Sequence, residues 1–150
     1  MKALLKESLV KVLEGAAFVF TDELPPERIP EHGKSWGAIG VGLEFEGSLQ
    51  RGTVDLWLSE ELSDMIAINM LGLEPSDECT EEQSRDASKE ILNMVVGIFL
   101  TEAFGVEEVF HLGIPRIIPD SAFAESSKLA NHFWIDADGH SVMMSLQISA

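Results

Sequence analysis

A stripe of four residues, Asp86, Glu90, Asn93 and Gly97, carries the polar chemistry of the longest predicted helix. With successive residues turned by about 100° around a helix axis, these positions fall on one line. An acid and an amide three residues apart most often belong to a solvated face. Here the stripe is narrow on an otherwise apolar helix, and a helical glycine is less stable than alanine by about 1 kcal/mol. The pattern therefore favours a groove in which another chain docks.

The sequence offers little for the commoner chemistries. Its four histidines, at positions 32, 111, 132 and 140, lie far apart without metal-ligand spacing. Cys79 lies in an acidic linker, which should raise the pKa of its thiol. No glycine-rich phosphate loop is present, and the aspartates before Gly139 indicate a hairpin turn rather than a calcium loop. We therefore expect no metal, thiol or nucleotide site in this chain.

Capping residues in the sequence indicate both ends of the helix that carries the stripe. Thr80 is a favourable N-cap, and Gln83 completes a capping box. Gly105 is a typical stop after the last turn. Apolar residues recur at helical spacing between these ends: Ile91, Leu92, Val95, Val96, Ile98, Phe99 and Leu100. The pattern predicts a deeply buried helix over residues 81–104.

The remaining elements predict an α+β fold with a mainly antiparallel sheet and long helices packed on one face. Further helices are expected at residues 2–14 and between the Ser59 cap and Gly72. Strands or strand-like runs are predicted at 16–21, 36–45, 49–58, 106–112, 128–135 and 141–149. Residues 22–35 read as a loop, and residues 113–120 as a turn or edge segment because they hold two prolines.

Length, charge and cysteine content limit the classes of protein to which this chain can belong. A chain of 150 residues is expected to form a single domain over 1–150. The formal net charge of −16 argues against a nucleic-acid partner. No run of about 18 apolar residues occurs, so no membrane span is expected. The single cysteine excludes an intramolecular disulfide and favours a reducing, cytoplasmic location.

The run from Asp86 to Gly97, followed by Pro115, resembles the CheX/CheC/FliY family of chemotaxis phosphatases. The family signature is Asp or Ser, three residues, Glu, two residues, Asn and, further on, Pro; here the last gap is one residue shorter. The resemblance covers roughly residues 35–120. CheC-type members carry the motif twice, but the N-terminal helix has Glu7 and Val10 where Glu and Asn are required. The single copy resembles CheX-type members.

The resemblance implies a CheC-like fold and hydrolysis of the aspartyl phosphate on a CheY-like response-regulator receiver domain. Asn93 would position the attacking water, and Glu90 would pair with a lysine of the partner. Mg²⁺ would belong to the receiver, so the chain needs no cofactor of its own. Asp86 either supports the same contact or faces water, Gly97 would allow close approach, and Pro115 would shape a turn.

Two alternatives remain open at this point. A non-catalytic module could bind a receiver or a flagellar switch component on the same fold, although the presence of both Glu90 and Asn93 counts against it. A homodimer is also expected, because CheX-type relatives are dimeric and the exposed edges of a small sheet invite pairing.

Overall fold

The computed structural model describes residues 1–31, 36–74 and 78–149, and within them seven strands form one antiparallel sheet. The strands are β1 (Thr21–Glu23), β2 (Ala38–Glu46), β3 (Arg51–Ser59), β4 (His111–Leu112), β5 (Arg116–Ile118), β6 (Asn131–Ala137) and β7 (His140–Ser149). Their order is β1-β6-β7-β3-β2-β4, and β5 also pairs with β2. The predicted mainly antiparallel sheet is therefore confirmed.

Three long helices cover one face of this sheet. They are α1 (Lys2–Ala16), α2 (Glu60–Leu71) and α3 (Glu81–Phe104). Helix α3 packs against α1, α2 and the central strands β2 and β3. Alternate residues of the strands, such as Val41, Leu56 and Met144, join the buried helix faces in one core. The α+β prediction with long helices on one face is confirmed.

The predicted capping residues begin and end these helices. The Gln83 N–H donates to Thr80 Oγ1 at 3.1 Å, and the Thr80 N–H donates to Gln83 Oε1 at 2.9 Å. The two bonds complete the capping box at the start of α3. Ser59 caps α2 by accepting from the Leu62 N–H at 3.1 Å. Gly72 ends α2 with a φ of 68°, a left-handed conformation that favours glycine.

A smaller aromatic layer covers part of the opposite face of the sheet. A short helix, α4 (Phe123–Ser126), follows a 3₁₀ turn at Asp120–Ala122 and inserts Phe123 against the sheet. The Phe123 ring lies 5.9, 5.3 and 6.1 Å, centroid to centroid, from the rings of Trp36, Trp57 and Trp134. A Cβ at Gly40 would lie 2.5 Å from the Trp57 ring, so this glycine is required for close packing.

Several predicted boundaries differ from the structure. The β-prone run at 16–21 is not a strand until Thr21, because Phe18 adopts a left-handed φ of 55° and breaks the extended chain. Of the strand predicted at 106–112, only His111–Leu112 pairs with β2. His111 and Leu112 pair with Glu46 and Phe45, the last two residues of β2. The residues that precede His111 therefore have no strand to pair with. Residues 113–120 contain the edge strand β5, as expected. Part of the predicted loop, residues 32–35, lies outside the described residues.

None of the helices in the described part of the chain combines the length and the apolar character that crossing a bilayer requires.

A buried cluster of hydroxyl groups joins α2 to α3. Ser63 Oγ lies 2.6 Å from Ser84 Oγ and 2.7 Å from Ser88 Oγ, and it donates to the Ser84 carbonyl at 3.0 Å. All three serines are at most 2% exposed. Because buried hydroxyl groups are costly without partners, the cluster fixes the position of α3 against α2.

We predict that Ser63→Ala lowers the free energy of unfolding by about 1–3 kcal/mol, because it leaves two buried hydroxyl groups with fewer partners. Ser8→Ala is the matched control: Ser8 is equally buried, but its hydroxyl only bonds the Leu4 carbonyl of its own helix at 2.9 Å. Urea unfolding of both variants measures the difference. Equal effects of the two substitutions would contradict a special role for the cluster.

Candidate active site

The predicted stripe lies on the outer surface of α3. Asp86 and Glu90 are exposed, and Asn93 and Gly97 are partly exposed. The adjacent residues Ile91, Leu92, Val95 and Val96 are fully buried against the sheet and the other helices. The packing of these apolar residues therefore fixes the rotation of α3, and it turns Glu90 and Asn93 towards solvent.

The polar side chains of the stripe have no role in holding the fold together. Within the part of the chain that the structure describes, Asp86, Glu90 and Asn93 make no side-chain hydrogen bond or ion pair. Asp86 and Glu90 are like charges four residues apart, an arrangement that costs a helix about 0.2–0.5 kcal/mol. Arg85 is already paired with Glu81 at 2.9 Å and Glu60 at 3.7 Å, and Lys89, which precedes Glu90, forms no ion pair with the stripe among the described residues. The stripe therefore presents two carboxylates without an ion-pair partner there, beside an amide with free donors and acceptors.

Among the described residues, nothing packs closely enough against Gly97 to require a glycine there. A Cβ built at this position would meet nothing within 4 Å, in contrast to Gly40. The structure thus leaves open space at the surface one turn beyond Asn93. An external group can approach the helix backbone there more closely than at any position with a side chain.

Sequence reasoning missed Thr101, which continues the stripe one turn beyond Gly97. Thr101 is exposed, and its hydroxyl donates to the Gly97 carbonyl at 3.1 Å. A threonine hydroxyl in a helix often bonds in this way to the carbonyl four residues earlier. The spacing of four residues after Gly97 was the signal that could have identified it.

The other candidates lie away from the stripe. Burial, together with the negative charge of Asp64, raises the pKa of the Cys79 thiol, as the acidic linker predicted. Burial also raises the pKa of Asp55, although the Ser126 hydroxyl, which donates to Asp55 Oδ2 at 2.8 Å, opposes the shift, as does Arg116. Asp55 lies on the face of the sheet opposite the long helices, where this bond anchors α4.

Pro115 lies between β4 and β5 at the edge of the sheet. No cluster of three or more metal-ligating side chains occurs among residues 1–31, 36–74 and 78–149.

We predict that Gly97→Ala raises the free energy of unfolding by up to about 1 kcal/mol, because the added methyl group has room and alanine favours the helix. Gly15→Ala, in the last turn of α1 and equally free of contacts, should give a smaller gain. Gly40→Ala should be destabilising, since its methyl group would overlap the Trp57 ring. Thermal unfolding of the three variants provides the comparison. A loss of stability in Gly97→Ala would mean that the fold itself needs this glycine.

Solved structures match the whole fold. CheX from Vibrio vulnificus aligns with a TM-score of 0.70 at 19% identity, covering 98% of this chain and 95% of the other. CheX in the complex with CheY, BeF₃ and Mg²⁺ from Borrelia burgdorferi gives 0.67 at 19% identity, covering 99% and 97%. A CheC-like superfamily protein from Shewanella sp. PV-4 gives 0.66 at 16% identity, covering 99% and 96%. The fold is therefore CheC-like.

The sequence family described as chemotaxis phosphatase CheX matches residues 39–138, which include the whole of α3 and its stripe. The chain belongs to this family. No curated protein matches the sequence.

Proposed function

We propose that this protein hydrolyses the aspartyl phosphate of a CheY-like response-regulator receiver domain. The observation that carries the proposal is the accessible pair Glu90 and Asn93, which has no partner among the described residues and lies on a rigid, buried helix. Membership of the CheX phosphatase family supports the reaction type. The complex of CheX with CheY from Borrelia burgdorferi supports a receiver as the partner.

In this proposal, Asn93 orients the attacking water. An acyl phosphate is already reactive, so catalysis needs mainly to hold a water in line with the phosphorus atom. The Asn93 amide can accept a hydrogen bond from that water through its carbonyl and can donate to a phosphoryl oxygen through its NH₂ group. Because an amide does not titrate near neutral pH, its contribution is constant over the physiological range.

Glu90 anchors the receiver through a lysine in the partner's active site. Bringing a cation to this position removes the repulsion between Glu90 and Asp86, so the contact relieves a strain that the free protein carries. Asp86 adds to the same attraction, and Gly97 allows the partner to approach the helix backbone. The receiver supplies Mg²⁺, which neutralises negative charge on the phosphoryl group. Since the proposed partner is a signalling protein of the cytoplasm, the expected cytoplasmic location follows from the same proposal.

We predict that Asn93→Ala lowers kcat for receiver dephosphorylation by about 10²-fold or more, because one preorganised contact to the water is lost. Asn93→Asp, which keeps the size of the side chain but not its NH₂ donor, should also be severely impaired.

Glu90→Ala should mainly raise KM, and Glu102→Ala is its matched control as an exposed glutamate elsewhere on α3. Loss of phosphate from a phosphorylated receiver, followed over a range of substrate concentrations, separates the two effects.

The same experiment tests the non-catalytic alternative. A binding module would bind the phosphorylated receiver without accelerating phosphate loss, and Asn93→Ala would then behave like the parent protein. Dephosphorylation by Asn93→Ala at the parental rate would overturn the proposed mechanism. Unchanged folding of the variants is expected, because the exposed side chains leave no cavity in the core.

We further propose a homodimer in which two copies pair at the β5 edge of the sheet. Ile114 is 88% exposed and Ile117 is 40% exposed at this edge. The opposite edge, β1, carries Asp22 and Glu23, whose charges would repel across a two-fold axis. The apolar edge is therefore the better surface for self-association.

The predicted dimer should dissociate in Ile114→Lys, which places a charge in the proposed interface. Phe20→Lys is the matched control, because Phe20 is 81% exposed beside the β1 edge. Sedimentation velocity over a range of concentrations measures both. A monomeric parent protein, or a dimer lost only in the Phe20 variant, would exclude this arrangement.

A further inference from the structure

A groove of about 230 Å³ begins at Gly97 and runs along the last turns of α3. Its other wall is the segment that leads from Gly105 to β4, including Val106 and Leu112. The groove is thus continuous with the stripe, and Gly97 belongs to both. For comparison, a cavity of about 150 Å³ accepts a benzene ring.

The lining of the groove combines apolar side chains with a nearly equal share of polar surface. Leu100 lies in its floor and is only 4% exposed, whereas Val106 is 83% and Leu112 is 38% exposed on the wall. The one charged side chain of the lining, Glu108, is already engaged: its Oε1 accepts from the Ser48 hydroxyl at 2.7 Å and from the Ser48 N–H at 3.3 Å. The exposed apolar walls favour an aliphatic or aromatic occupant over a charged one.

A protein that docks on the stripe must also cover this groove. Gly97 lies four residues beyond Asn93, or about 6 Å along the helix axis at 1.5 Å per residue. A specific interface buries about 800 Å² on each partner, which is a patch reaching well beyond that distance. The receiver that brings its phosphorylated site to Asn93 therefore also brings neighbouring surface to Gly97 and Val106.

Resting on the function proposed above, we infer that the groove holds an apolar side chain of the docked receiver and helps to determine which receiver is bound. The acidic surroundings, including the exposed Glu107 beside Val106, further favour an apolar side chain flanked by lysine or arginine. The absence of a side chain at Gly97 then has two effects: it lets the partner approach the helix backbone, and it leaves the entrance of the groove open. The stripe performs the chemistry, and the groove selects the partner.

The test compares two substitutions in one exposed turn. Val106→Asp places a carboxylate on the wall of the groove, whereas Val109→Asp makes the same change at a residue that is 69% exposed and outside the lining. Neither should affect folding, because both side chains already face water. The probe is a CheY-type receiver with bound Mg²⁺ and beryllofluoride, titrated against each variant by calorimetry, and turnover of the phosphorylated receiver is measured in parallel.

We expect Val106→Asp to raise Kd and KM at least about tenfold while kcat stays unchanged, because an apolar side chain cannot bury the new charge favourably. Val109→Asp should match the parent, and Val106→Leu should retain binding. If Asn93→Ala abolishes turnover but Val106→Asp binds as the parent does, the groove inference is wrong and the proposed function stands. If the parent binds no receiver, both fail. Loss of a dimer in Val106→Asp, with receiver binding intact, would assign the groove to a second copy instead.

Discussion

The burial of α3 is the constraint on which the rest of the structure depends. One side of this helix packs on the sheet, and its flanks pack on α1 and α2. Residues such as Ile91, Val95 and Phe99 are fully buried, so the helix cannot rotate without exposing them. On the side turned away from these contacts, α3 leaves the stripe accessible. Its narrowness is thus a direct result of how completely the helix is enclosed.

This enclosure also explains why a site with so few groups can be effective. A catalytic side chain must be held within a fraction of an ångström of its working position, and a buried helix provides this better than a loop. The capping box at Thr80 and the hydroxyl cluster around Ser63 fix the helix at its start and against α2. The helix itself therefore fixes the position of Asn93. Its side chain remains available for a partner.

The elements that could be predicted from sequence were those governed by local rules. The caps at Ser59 and Thr80, the stop at Gly72 and the exposure of the Glu90 stripe all follow from spacing along one helix. The α4 segment did not follow, because its place depends on Phe123 meeting three tryptophans that are distant in sequence. The strand predicted from Val106 was too long for a similar reason: its pairing ends where β2 ends.

The two glycines at positions 40 and 97 look alike in sequence and differ only in the folded structure. In sequence, each is a glycine inside a regular element, and each suggests close approach by another group. At Gly40 that group is the Trp57 ring of the same chain, whereas no atom of the described residues lies within 4 Å of a Cβ built at Gly97. A glycine that weakens its helix without an internal contact has a cost to stability that the fold alone does not recover. Gly40 is therefore explained by packing inside the chain, whereas the open space at Gly97 is available to a partner.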